Sequence, residues 1–171
     1  MKKIILLTVV SAVLAGCTVS QQTVQQKAEQ QIRTARQVRE LLQTRRYAVD
    51  IKYMYPQRGM MKALDYGYGV RISGDSIYSY LPYFGIARGY VPYGGGKGLH
   101  FKTVFSDYSI HKSKKHLTQV VVIVTNEEDR YRYTMDIYDN GNVQLSVQAD
   151  RRDFISFSGE MVLDDKRNTK E

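Results

Sequence analysis

Apolar residues recur at helical spacing from Val24 to Thr44. Val24, Ala28, Ile32, Ala35, Val38 and Leu42 follow one another at steps of four and three, with Leu41 beside the last. That is one apolar stripe, with Arg and Gln on the other face. It predicts an amphipathic helix, bounded here at 27–44, that needs a surface to cover. After Arg45 the period changes to two. Val49, Ile51, Tyr53 and Tyr55 alternate with Asp50, Lys52 and Met54, then Pro56 to Gly59 breaks the strand. Tyr66, Tyr68, Val70 and Ile72 share one face of the next strand. Ser73-Gly74-Asp75 turns it into Ser76 to Leu81, which makes a hairpin.

A Gly/Pro-rich loop follows from Pro82 to Gly98. Strand character returns over Leu99 to Phe105 and reaches Ile110 beyond a break at Ser106-Asp107. Lys112 to Lys115 reads as a basic turn. Leu117 to Thr125 holds Val-Val-Val-Ile-Val, apolar on both sides, and so predicts a central strand with both faces covered. Asp139-Asn140-Gly141-Asn142 separates two alternating strands, and Asn-Gly is the preferred pair of a type I′ hairpin. Asp150 to Arg152 turns again before a last strand, Phe154 to Val162. About eight strands joined by short turns must pair antiparallel with their neighbours. The expected fold is mainly β with one N-terminal helix: an antiparallel meander forming a curved sheet or partly open barrel over residues 45–163. A two-sheet sandwich is the alternative. The charged tail, 164–171, lies outside it.

The segment before the helix has another character. Lys2 and Lys3 precede an apolar run, Ile4 to Val13. That run is too short for a bilayer, which needs about 20 residues, and has the layout of a signal peptide. Leu14-Ala15-Gly16-Cys17 resembles the lipobox cut by lipoprotein signal peptidase. The resemblance implies removal of residues 1–16, lipidation of Cys17, and a polar tether over 17–26. Cys17 is the only cysteine, so a disulfide within the chain is excluded. Thr18 after the cysteine resembles the outer-membrane sorting pattern of Gram-negative bacteria. The absence of an acidic cluster after it favours the periplasmic face. The expected setting is thus the bacterial envelope, with the membrane met through the lipid.

Composition changes this picture little. Net charge is +8, and +6 once Lys2 and Lys3 are removed. A basic domain gains some attraction to an anionic membrane. Nucleic acid is not expected as a partner, since none of its recognition motifs occurs. Tyrosine is abundant, at 14 residues against 5 Phe and no Trp. Its amphipathic ring suits half-buried strand positions as well as sugar or peptide contacts.

Three stretches carry a family resemblance: Tyr66 to Gly85, Tyr90 to Phe101, and Ile155 to Glu160. The most specific part is Leu81-Pro82-Tyr83-Phe84-Gly85. Over residues 40 to 162 the chain resembles the Bacteroidetes lipoprotein family catalogued as domain of unknown function 4251. The resemblance implies an exported, lipid-anchored domain. It supplies no activity and no catalytic residues.

Candidate chemistry is sparse. Gly94-Gly95-Gly96-Lys97-Gly98 fails the phosphate-loop pattern, because Gly98 replaces the hydroxyl residue and Val91 stands where the first Gly belongs. His100, His111 and His116 lack metal-ligand spacing, so no metal and no cofactor is expected. Glu127, Glu128 and Asp129 fall in a turn and are expected to solvate it. Asp136 and Glu160 are expected on wet strand faces. With no ordered set of nucleophile, base and oxyanion donor, the chain is not expected to be an enzyme. The remaining candidate is aromatic: Tyr80, Tyr83, Phe84, Tyr90 and Tyr93 cluster among Gly and Pro. They either line a ligand site for a small molecule or glycan, or plug the end of the sheet. Two functions follow as expectations: a non-enzymatic binding or accessory lipoprotein with its ligand near this loop, or a structural or assembly subunit that meets an envelope protein.

Overall fold

The computed structural model describes residues 16–88 and 98–163, with side chains from residue 24 onward. Among the described residues one helix, α1 (Gly16–Thr44), precedes ten strands: β1 (Arg46–Pro56), β2 (Lys62–Ala63), β3 (Gly69–Ser73), β4 (Ser76–Leu81), β5 (Leu99–Val104), β6 (Asp107–Lys114), β7 (Leu117–Thr125), β8 (Arg130–Tyr138), β9 (Asn142–Ala149) and β10 (Ile155–Met161). All pairings are antiparallel, in the order β5-β4-β3-β1-β10-β9-β8-β7-β6, with β2 alongside β1. The sheet is a strongly curled half-barrel. It consists of two meanders, β3 to β5 and β6 to β10, joined by β1 between β3 and β10.

The curl follows from chain length. Strands β5 and β6 are the two edges of the sheet, yet only Phe105 and Ser106 separate them in sequence. Two residues span about 7 Å at most, so the edges must come together at that corner. The backbone bonds there confirm it. Phe105 N–H donates to the Asp75 carbonyl in the β3–β4 turn (3.0 Å), and Ser106 N–H to the Ile123 carbonyl in β7 (2.8 Å).

Strand periodicity decides what lies inside. Val70 and Ile72 of β3, Ile77 of β4, Met135 and Ile137 of β8, Leu145 and Val147 of β9, and Ile155 and Phe157 of β10 all face the concave side and are buried. Complete burial stabilises each such side chain by about 1.5–3 kcal/mol. A bulge between Ile51 and Tyr53 shifts β1 by one residue. Tyr47, Val49, Ile51 and Met54 therefore point inward, while Tyr53 and Tyr55 face out.

Several elements differ from the sequence expectation. Helix α1 (Gly16–Thr44) runs through the stretch read as a polar tether. Its apolar stripe is only half used: Ala35, Val38 and Leu42 are buried, whereas Val24 and Ile32 are exposed. The last turns of the helix pack beside β1, and its Val24 to Gln31 stretch is exposed. Lys112 to Lys114 is the end of strand β6 rather than a turn; the chain reverses at Lys115-His116, with His116 at φ 66°. Strand β7 is next to the edge rather than central. Both faces are nonetheless covered in part, since Val120, Val122 and Val124 are buried inside and Val121 outside. The Asn140-Gly141 hairpin forms where expected, but not as a type I′ turn. Only Gly141 has positive φ (88°), and its N–H donates to the Tyr138 carbonyl (2.9 Å). This is a type I turn closed by a left-handed glycine.

Candidate functional site

The aromatic cluster of the loop divides on folding. Leu81, at the end of β4, points inward and is buried. Tyr80 therefore points to the convex side, where it stacks on Tyr68 (centroids 5.2 Å apart, 13° between planes) and meets the edge of His100 at 4.5 Å. Tyr83 turns to the end of the half-barrel. Its hydroxyl shares its one proton between the carbonyls of Ile86 (3.1 Å) and Asp153 (3.3 Å), and burial pushes its pKa up. Gly85 is required beneath it, since a Cβ there would stand 2.6 Å from the Tyr83 hydroxyl. Phe84 faces solvent, with the Lys62 ammonium 3.8 Å above its ring. Tyr80, Tyr83 and Phe84 are thus not brought into one pocket. Tyr90 and Tyr93 lie outside the described residues. Cys17 falls within α1, and its side chain also lies outside them.

Tyr83 belongs to a polar network that sequence reasoning missed. Asp153 is buried and accepts from the backbone N–H of Ile86 (3.2 Å). Arg88 Nη2 lies 3.4 Å from one of its carboxylate oxygens and Arg58 Nε 3.9 Å from the other. Asp129, expected to solvate its turn, is instead buried: its oxygens accept the N–H groups of Arg130 (2.8 Å) and Arg151 (3.1 Å). The side chain of Arg152 is almost wholly buried, pairs with Glu128, and carries its guanidinium over the Tyr83 ring at 5.4 Å. Segment 86–88 is also joined to 151–153 by backbone bonds from Arg88 N–H to the Arg151 carbonyl (2.7 Å) and from Asp153 N–H to the Ile86 carbonyl (3.0 Å). Each carboxylate oxygen named here is engaged by an N–H or guanidinium donor. The cluster acts as cement between the loop and two hairpin turns. Its only signal in sequence was a run of turn-type residues, which does not distinguish an internal cap from a solvated one.

Behind this network, aromatic side chains among the described residues pack on one another. Phe101 stacks on Tyr131 (5.3 Å) and meets Tyr133 edge-on (6.2 Å). The Ser79 hydroxyl donates to the Leu99 carbonyl (2.7 Å) and lies 3.0 Å from the Tyr133 hydroxyl. Tyr47 and Tyr108 meet hydroxyl to hydroxyl at 3.2 Å across the curl. Desolvation raises the pKa of all four tyrosines, that of Tyr131 to about 12. Among the described residues no group of three or more His, Cys, Asp or Glu converges on a point that could hold a metal.

Two surface features remain. The first is an apolar knuckle at the network end. Met60 is 86% exposed, and Met61, Phe84, Ile86 and Phe154 are about half exposed. Their segments are neighbours: a Cβ built at Gly59 would stand 3.8 Å from the Phe84 ring, and Phe154 N–H donates to the Gln57 side chain (3.2 Å). Asp153, beside Phe154, is bonded to Ile86. The second is an open groove of about 900 Å³ between α1 and the tips of the β6–β7 and β8–β9 hairpins, lined by Ala28, Ile32, Arg39, His116 and Tyr138 among others.

The family model for the domain of unknown function DUF4251 matches residues 28–161. The chain belongs to the DUF4251 family. The matched region runs from the helix through β10, so it contains the polar network and the knuckle; Cys17 lies outside it. A crystal structure of a DUF4251 family protein from Bacteroides eggerthii is similar in fold, with a TM-score of 0.57 at 10% identity. The likeness covers 75% of this chain and 87% of that one. No curated protein matches the chain.

Proposed function

We infer that this DUF4251 protein is a Bacteroidetes envelope lipoprotein, anchored through lipid on Cys17 in the outer membrane and facing the periplasm. In this reading it is a non-enzymatic accessory protein that works by contact with another envelope protein, held at the knuckle of Met60, Met61, Phe84, Ile86 and Phe154. One observation carries the reading: among the described residues, large apolar groups at Met60, Met61, Phe84, Ile86 and Phe154 are left in water at one end of the half-barrel. An exposed apolar patch is a feature of contact surfaces. Methionine gives it a deformable face, and Arg58, Lys62 and Arg88 supply a cationic rim. The leader segment and the Leu14 to Cys17 motif support the anchor.

Carriage of a small molecule or glycan beside the aromatic loop is the weaker reading. It calls for Tyr83 to face a cavity, and its hydroxyl is bonded to two carbonyls of the loop and its neighbour. A photo-reactive amino acid placed at Phe84 or Phe154 in the intact envelope tests the proposal. One discrete protein adduct from both positions, with none from Lys102 on the convex face, is expected. Equal labelling from all three positions, or none, would overturn it. A co-purifying small molecule seen by native mass spectrometry and lost in Tyr83→Ala would restore the carrier.

A further inference from the structure

We propose that the edge strand β6 receives an extended acidic segment of another protein as an additional strand of the sheet. The surface is separate from the knuckle and depends on a different set of residues.

Strand β6 has the exposure of an unfinished sheet. It pairs with β7 along Asp107 to Lys114, and among the described residues no strand pairs with its other side. A free edge presents a row of N–H and C=O groups that an extended chain can complete. Tyr108 and Ser109 are partly covered where the sheet closes, whereas Ile110 to Lys114 is exposed on both faces. An inward-facing residue of a finished sheet would not be left this way. Ile110, opposite the fully buried Val120, is 43% exposed. An added strand would cover it.

Charge selects the partner. The exposed part of the edge carries His111, Lys112, Lys114 and Lys115, and its one acidic residue, Asp107, sits at the closed end. Lysine on an edge blocks pairing with neutral or basic strands, and so prevents random aggregation. It does not block an acidic strand, because opposite charges across a ladder attract. A second copy of β6 would bring two lysine-rich segments to one interface and is disfavoured for the same reason. The occupant that fits is a strand with Glu or Asp at alternate positions, at least one of them opposite Lys112 or Lys114.

Hydrogen–deuterium exchange on the mature full-length protein tests this, with the acetylated, amidated peptide Thr-Glu-Val-Glu-Val-Glu-Thr as probe. The expected result is at least tenfold slower exchange confined to residues 107–115, with no effect from the peptide carrying Lys in place of Glu. Lys112→Glu with Lys114→Glu, both on exposed side chains, should exchange these preferences while leaving the thermal midpoint nearly unchanged. Protection elsewhere, protection by both peptides alike, or none would overturn the proposal. Concentration-dependent protection of β6 without peptide would overturn it in favour of self-pairing.

Discussion

Tyrosines carry much of the residue-level interest, because the half-barrel buries them in a way composition could not foretell. Tyr47, Tyr131 and Tyr133 are fully buried, and burial raises each pKa. Below pH 10 they are protonated both in the fold and in the unfolded chain, so they make stability neither rise nor fall. Above pH 10 the unfolded chain loses those protons while the fold keeps them, and stability falls. Each tyrosine contributes a slope of up to about 1.4 kcal/mol per pH unit until its folded-state pKa is reached. The expected outcome is alkaline unfolding that begins near pH 10, with tyrosinate absorbance appearing together with loss of β-sheet circular dichroism; independent early ionisation of all 14 tyrosines would contradict it. Asp153 makes a second prediction. Asp153→Ala leaves the Ile86 N–H without its acceptor and the loop without its ionic tie, which should cost about 1–3 kcal/mol. Denaturant midpoints of the two proteins check this. Gly85→Ala should act in the same place, since the Tyr83 hydroxyl stands where the new methyl would go.

At the scale of the element, α1 shows how a periodic stripe can be right about type and wrong about use. The spacing of Val24, Ala28, Ile32, Ala35, Val38 and Leu42 marks a helix, and a helix is present. Only Ala35, Val38 and Leu42 of the stripe are buried, while Val24 and Ile32 stay exposed. Leu42→Ala should therefore cost about 2–5 kcal/mol, while Ile32→Ala, at an exposed position, should stay within about 0.5 kcal/mol. Equal losses would mean that the first half is also packed. Strand β6 shows the opposite case. Lysines at 112, 114 and 115 mimic a turn in sequence, yet backbone pairing with β7 carries the strand through to Lys114. Edge strands tolerate charge on both faces, so the alternation by which strands are recognised is missing from them.

At the scale of the whole molecule, the decisive pairing is β1 with β10. It joins residues about a hundred positions apart, and it sets two local meanders side by side in one sheet. Contacts of such long separation slow folding, which should fall in the millisecond-to-second range. Removing residues 155–171 should abolish cooperative unfolding altogether, because β1 and β9 would both lose a neighbour and Phe157 would leave the core. Thermal circular dichroism on the shortened chain would show a broad slope in place of a transition. A sharp transition would mean that β1 to β9 is a domain without β10.

The sequence by itself determined the local elements: the helix, the paired strands, the hairpin at Asn140-Gly141 and the antiparallel, curved character of the sheet. These depend on period, turn chemistry and connection length, which are properties of neighbouring residues. The family was also legible, through Leu81 to Gly85. Tertiary structure alone decided that the two sheet edges meet at Phe105-Ser106, that Asp129 and Asp153 are internal caps rather than solvated turn residues, and that Tyr80, Tyr83 and Phe84 point to three different places. Each of these depends on which distant segment arrives beside a given residue, and a one-dimensional pattern carries no record of that.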